Sequence, residues 1–226
     1  MTRRGRGIAA VSILLALGAA WLWWSRSAGD AAIPPPPEIP AEVVDDDVRQ
    51  ALTAACERVR SEPHSGAAWG ELGLTFRAHN LNPESNACFA VAAKLDPQNP
   101  RWPYLIGVIN LLIEPDNALP HLRIALQLAT DAGQQSAIRT RLAEALLARN
   151  ETLAAASLLA EEVRINPRNP RARLGLGAVA AARGDHAAAV TAFQAAVDSP
   201  FARKKASALL ANSHRRLGNT AAAEEE

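Results

Sequence analysis

Histidine is the commonest general base and metal ligand in proteins, and its placement in this sequence favours neither role. The five histidines are His64, His79, His121, His186 and His214, and no two of them form an HExxH pair or another ligand spacing. The sequence contains no GxSxG motif and no glycine-rich phosphate loop, and the GxG of Gly175 and Gly177 fits a packed helix better. We therefore expect no enzymatic activity, no cofactor and no metal site.

The two cysteines, Cys56 and Cys88, belong to no CxxC or CxxCH motif. A disulfide framework and a covalently attached haem are therefore disfavoured. Both cysteines lie in stretches with helical spacing of apolar residues, and we expect buried free thiols that pack as small apolar side chains. A disulfide between them stays the alternative if this part of the chain lies outside the cytoplasm.

The charge balance of the chain excludes a strongly basic or acidic protein. Lysine and arginine number 24 against 23 aspartates and glutamates, which gives a formal net charge of +1. This balance provides no basic field for nucleic acid. Hydrophobic residues make up 49% of the chain but aromatic residues only 4%, with alanine and leucine dominant. The composition favours a helical globular protein that does not bind nucleic acid.

The first 24 residues have the pattern of a membrane anchor. Residues 1–7 are basic, and residues 8–24 are 17 apolar or small residues without charge. As a helix they would span about 25 Å, at the short end of what crosses a bilayer core. The preceding arginines predict a cytoplasmic N-terminus. We expect a single-pass anchor in a bacterial inner membrane with the following domain in the periplasm, and a cleaved signal peptide is the alternative.

Residues 25–44 form a linker that is rich in proline. Four consecutive prolines, Pro34 to Pro37, favour the extended polyproline II conformation over a helix. We expect a semi-rigid spacer that lifts the folded domain off the membrane. The alternative is a ligand for a proline-binding module.

From residue 45 to 226 the chain carries a helical pattern that recurs about every 34 residues. A helix is predicted at 45–62, followed by a unit at 66–99 in which Trp69, Leu72, Gly73 and Phe76 mark a first helix and Phe89, Ala92 and Pro97 a second. Large and small residues recur in similar order at 100–132, 136–169 and 170–203, and part of a fifth unit lies at 204–226. The unit at 100–132 is one residue short in its internal turn.

This pattern resembles the tetratricopeptide repeat (TPR) family. The resemblance implies an all-α, right-handed solenoid of helix-turn-helix repeats, here preceded by an N-terminal transmembrane helix and a Pro-rich linker, with residues 45–62 as a cap. It also implies a scaffold that binds a protein or peptide partner, without catalysis and without a small-molecule substrate.

In that family the first helices line a concave groove, and the resemblance places side chains of this chain there. The candidates are Leu74, Arg77, Arg101, Tyr104, Val108, Leu111 and Arg171. The same offsets give Ala137, Thr140, Glu144 and Leu147 in the third unit and Leu174, Ala178 and Ala181 in the fourth. A mostly apolar groove with arginines at its edges suits an amphipathic helix or a peptide that carries carboxylates. Gly70 and Leu74 stand where a well-known carboxylate clamp needs Lys and Asn, so that clamp is not expected.

Four functional hypotheses follow. The first is a membrane-anchored periplasmic TPR scaffold. The second is a cytochrome c maturation factor of the CcmI/CycH type that chaperones an apocytochrome helix, although that family usually has two N-terminal spans and this sequence shows one. The third is a purely structural role in self-association, and the fourth is an accessory domain of a longer protein.

Overall fold

The computed structural model describes residues 33–41, 43, 45–200 and 202–224, and all of its regular elements are helices. They are α1 (Asp46–Ser61), α2 (Gly66–Ala78), α3 (Asn82–Leu95), α4 (Arg101–Ile113), α5 (Pro115–Leu128), α6 (Ala132–Ala148), α7 (Thr152–Ile165), α8 (Pro170–Ala182), α9 (His186–Val197), α10 (Arg203–Arg216) and α11 (Thr220–Glu224). The prediction of an all-α fold is confirmed.

The helices pack in chain order, each against the next, and form repeated helix pairs behind α1. We call α2, α4, α6, α8 and α10 the first helices and α3, α5, α7, α9 and α11 the second helices of the five repeats. Within a repeat, a small residue of the first helix lets a bulky residue of the second approach closely. A Cβ on Gly73 would lie 2.6 Å from Phe89, and one on Gly177 would lie 2.4 Å from Phe193.

A residue in the left-handed conformation ends the first helix in four of the five repeats. Asn80, Asn150, Gly184 and Gly218 have φ between 60° and 79°. In the first repeat, the Leu81 N–H donates to the Phe76 carbonyl at 3.0 Å and closes the helix end. The second repeat lacks this turn, because Glu114 alone separates α4 from α5. The short turn is held by the Asn110 side chain, which donates to the Asn117 carbonyl at 3.3 Å.

Two further features differ from the sequence pattern. Helix α6 begins at Ala132, ahead of the repeat start expected at 136, because the Asp131 carboxylate caps it by accepting from the Gln134 N–H at 2.9 Å. The Pro-rich segment was expected to be a spacer, yet Ile33, Ile39 and Val43 pack against the apolar cluster that α1 and the first two repeats build. These three residues of the segment therefore lie against the folded domain.

The predicted anchor at residues 8–24 lies outside the described residues. Within the described ranges no helix is both long enough and apolar enough to cross a membrane. Cys56 and Cys88 are buried free thiols, and burial raises the pKa of Cys88 to about 12, with further contributions from Cys56 and Glu84.

Candidate partner-binding groove

The first helices line the inner face of the array. In the second to fourth repeats they approach each other more closely than the second helices do, since α4 contacts α6 and α6 contacts α8. An array of helix pairs curves toward the side on which its helices are closer. Two clefts open on this face, and their walls come only from the first helices and the loop before α4.

The first of these, the Tyr104 cleft, lies between α4 and α6 and has a volume of about 320 Å³. It is lined by Asn99, Pro100, Arg101, Tyr104, Gln134, Ala137 and Ile138. Arg101 stands exposed at its edge, with its guanidinium carbon 5.4 Å from the centroid of the Trp102 ring. The Tyr104 cleft therefore joins apolar walls to a cationic edge.

The second, the Arg171 cleft, spans α6, α8 and α10 and has a volume of about 460 Å³. It is lined by Arg141, Glu144, Leu147, Arg171, Leu174, Gly175, Ala178, Lys205 and Leu209. Three cationic side chains thus face one carboxylate, between walls that are otherwise apolar.

Tyr104 connects the two clefts. The Arg141 guanidinium donates to the Glu144 carboxylate at 2.7 Å. Tyr104 lies near enough to Arg141 to raise the pKa of its guanidinium. Burial would lower the pKa of Arg141, but the Glu144 carboxylate, with Tyr104, raises it above its usual value. Burial lowers the pKa of Arg171, and the charge of Arg141 lowers it further, against opposing contributions from Glu144 and Tyr104. The two guanidiniums therefore share one small region of the inner face.

A buried carboxylate fixes the start of the helix that carries Arg171. The Asn169 side chain caps α8 by accepting from the Arg171 N–H at 3.0 Å, and its amide donates to Glu162 at 2.9 Å. Glu162 is 0% exposed and also accepts from the Ser136 hydroxyl and from Arg139 at 3.4 Å. This Glu162 network ties α6, α7 and α8 together beneath the Arg171 cleft.

Solved structures of similar shape identify the fold. The chain resembles a chain of the APC/C hetero-tetramer Cut9-Hcn1, with a TM-score of 0.67 and 20% identity over 79% of this chain and 35% of that one. It resembles PilW, a type IV pilus biogenesis factor, with a TM-score of 0.67 and 19% identity over 79% and 82% of the two chains. It also resembles the TPR protein YrrB, with a TM-score of 0.58 and 17% identity over 77% and 89%.

The chain has the TPR fold. It covers 35% of the length of the matched chain of Cut9-Hcn1. No protein-family model matches the sequence, and neither does any curated protein.

The TPR offsets place three of the seven predicted groove residues in the clefts. Arg101 and Tyr104 line the Tyr104 cleft, and Arg171 lines the Arg171 cleft. The other four, Leu74, Arg77, Val108 and Leu111, line neither of them.

Tertiary packing explains the four that lie elsewhere. Leu74 and Leu111 are half-buried against the apolar clusters, and Arg77 is half-buried near the end of α2. Val108 is only 6% exposed, because α4 is buried along almost all of its length from Trp102 to Asn110. Val108 is thus buried in the core, while Leu74, Arg77 and Leu111 remain partly exposed.

Two cations of the Arg171 cleft, Arg141 and Lys205, were missed. Both had a signal in the sequence. Arg141 lies three residues before Glu144, so a helix places the two on one face. Lys205 lies one repeat period of 34 residues after Arg171.

Among the described residues there is no group of three or more His, Cys, Asp or Glu side chains that could hold a metal ion.

Proposed function

We propose that this chain is a membrane-anchored scaffold that holds a protein partner by a peptide segment on the inner face of its TPR solenoid, without catalysing a reaction. The observation that carries the proposal is the pair of adjoining clefts built only from first helices and their leading loop. Because Tyr104 borders one cleft and contacts Arg141 of the other, a continuous segment can engage both.

The chemistry of the clefts supports a peptide. An extended or helical segment places side chains at fixed intervals, and a row of small pockets reads them while the backbone runs between. The Tyr104 cleft offers tyrosine, alanine and isoleucine walls to an apolar side chain. YrrB, which has the same fold, is described as having an unusual peptide-binding site.

The anchoring part of the proposal rests on the sequence of residues 1–24. A basic start followed by 17 uncharged residues favours a retained helix in a bacterial inner membrane, with the repeats in the periplasm. Anchoring concentrates the scaffold near other envelope proteins, so moderate affinity in each cleft suffices. Alkaline carbonate extraction tests this: the full chain should stay in the membrane pellet, and a chain without residues 1–24 should be released.

The groove is tested by a double substitution, Arg101→Ala with Tyr104→Ala. The matched control is Arg164→Ala with Leu153→Ala, which removes an exposed arginine and an exposed leucine from the second helix α7. Full-length proteins are crosslinked in native membranes, purified and compared by quantitative mass spectrometry. The groove variant should lose the captured partner while keeping its helical circular dichroism, and the control should retain it. Equal capture by both variants would show that the inner face is not the binding surface.

A further inference from the structure

The Arg171 cleft concentrates positive charge in a chain that is nearly neutral. The whole sequence has a formal net charge of +1, yet Arg141, Arg171 and Lys205 line this cleft against Glu144 alone. Glu144 is already engaged with Arg141 at 2.7 Å. The lining of this cleft therefore carries an excess of positive charge, whereas the whole chain is nearly neutral.

Two of the three cations lie at positions that the fold itself sets. Glu144 holds the Arg141 guanidinium at 2.7 Å beside Tyr104, and the Asn169 side chain caps the helix at the Arg171 backbone N–H. A guanidinium has five N–H donors in a planar fork, more than the contact of Arg141 with Glu144 engages. An anion entering between two neighbouring guanidiniums also offsets their mutual repulsion, and carboxylates match their geometry.

We propose that the Arg171 cleft binds the side-chain carboxylates of an acidic segment of a partner protein. This deepens the proposed function and rests on it. The leucine walls from α6, α8 and α10 favour a peptide over nucleic acid, because they contact the apolar part of an acidic side chain and its neighbours. A nucleic acid needs an extended basic surface, and here the basic residues form one cluster beside a carboxylate.

The probe is a fluorescein-labelled alanine-rich peptide with two glutamates flanking a leucine. The control probe is the same peptide with glutamines in place of the glutamates. Binding to the full-length chain in a non-ionic detergent is followed by fluorescence anisotropy. The glutamate peptide should bind at least about tenfold more tightly than the glutamine peptide, because charge-assisted hydrogen bonds are lost in the latter. Its affinity should also fall as sodium chloride is raised.

Charge-changing variants locate the site and include one with an effect of opposite sign. Arg171→Gln should weaken binding of the glutamate peptide about tenfold. Lys205→Gln, at an exposed position that folding tolerates, should weaken it about threefold. Glu144→Gln should tighten it about threefold, because it removes the one negative charge of the cleft. Arg164→Gln, on α7, is the matched control and should leave the affinity unchanged.

The outcomes separate this inference from the proposed function. Equal affinity for the two peptides, or weaker binding after Glu144→Gln, would overturn the carboxylate assignment. Displacement of the peptide by inorganic phosphate beyond the effect of sodium chloride at equal ionic strength would point to a phosphate-bearing ligand and also overturn it. If Arg101→Ala with Tyr104→Ala abolishes partner capture in membranes while Arg171→Gln and Lys205→Gln do not weaken it, the proposed function stands and this inference fails.

Discussion

The first and third repeats place different side chains at equivalent positions. They begin at residues 66 and 136, so equivalent positions can be paired directly. Gly66, Trp69 and Ala92 of the first repeat correspond to Ser136, Arg139 and Glu162 of the third. In the first repeat a tryptophan that is 1% exposed fills the space beside a small alanine. In the third, an arginine and a serine reach a buried glutamate instead.

Both repeats end in an asparagine that lies just before the next first helix. Asn99 accepts from the Arg101 N–H at 3.0 Å and donates to Asp96 at 2.9 Å, a local contact. Asn169 also accepts from the N–H two residues on, at Arg171, but it is the N-cap of α8 and donates to Glu162 of helix α7. A buried ion pair is seldom more stabilising than good apolar packing, but removing one partner is costly. The third repeat thus depends on a polar network in which every member is needed.

The largest effect is expected from Ala92→Glu, which puts the glutamate of the third repeat into the first. Ala92 is 0% exposed, and the equivalent positions around it hold Gly66 and Trp69 in place of Ser136 and Arg139. A buried carboxylate without partners should lower the free energy of unfolding by at least about 4 kcal/mol. Urea denaturation followed by circular dichroism measures it. Ala90→Glu, at an exposed position of the same helix, should cost less than about 0.5 kcal/mol. Similar losses for the two would contradict the pairing of positions.

The second effect is expected from Glu162→Ala, which should cost about 3 kcal/mol in the same measurement. Arg139, whose side chain is 13% exposed, would lose its buried carboxylate, and Ser136 and Asn169 would lose an acceptor. The neighbouring Glu161→Ala is the control: Glu161 is 48% exposed and lies 3.9 Å from Arg139, so its loss should be below about 0.5 kcal/mol. Equal losses would show that the network is not essential.

The third effect concerns a second pair of positions at which the two repeats exchange a small and a large side chain. A Cβ on Gly70 would lie 2.1 Å from the Trp102 ring, whereas the equivalent pair in the third repeat is Thr140 and Ala172. Gly70→Ala should therefore lower the free energy of unfolding by about 2 kcal/mol, despite the better helix propensity of alanine. Gly133→Ala, where the nearest atom is the Asp131 carboxylate at 3.1 Å, should change it by less than about 1 kcal/mol. A stabilising Gly70→Ala would show that Trp102 moves freely.

The smallest effect should be equal in the two repeats. Asn80 and Asn150 have φ of 60° and 62° in the same turn. Asn80→Ala and Asn150→Ala should each cost about 1 kcal/mol, because alanine tolerates the left-handed conformation less well. A clear difference between their losses in urea denaturation would mean that the side chains of the surrounding repeat affect the stability of its turn.

The helical repeats were predictable because their signals are local. Spacing of large and small residues, turn residues and the recurring period each depend on neighbours in the sequence. Arg101, Tyr104 and Arg171 were predicted from the groove positions of the TPR family, carried along the same period. The burial of Val108 was not predictable in this way, because it depends on what covers α4 in three dimensions. The burial of Glu162 was equally hidden, because its partners Ser136 and Arg139 come from another helix.

The packing of the Pro-rich segment was also not predictable from its own sequence. Its composition favours an extended conformation, and the spacer expectation followed from the prolines alone. Ile33 and Ile39 on either side of the prolines pack instead against the apolar cluster of α1 and the first two repeats. Whether an extended segment packs on a domain depends on the apolar surface that the domain offers, which the segment itself does not encode.

Site-specific crosslinking in cells tests most directly which face of the TPR solenoid would contact the proposed partner. A photo-crosslinking benzoylphenylalanine is placed at Tyr104 or Ala178, which line the two clefts, or at the exposed Ser157 of the second helix α7. We predict a crosslinked protein adduct from both cleft positions and none from Ser157. An adduct from Ser157 with none from either cleft position would contradict the assignment of the inner face as the binding surface.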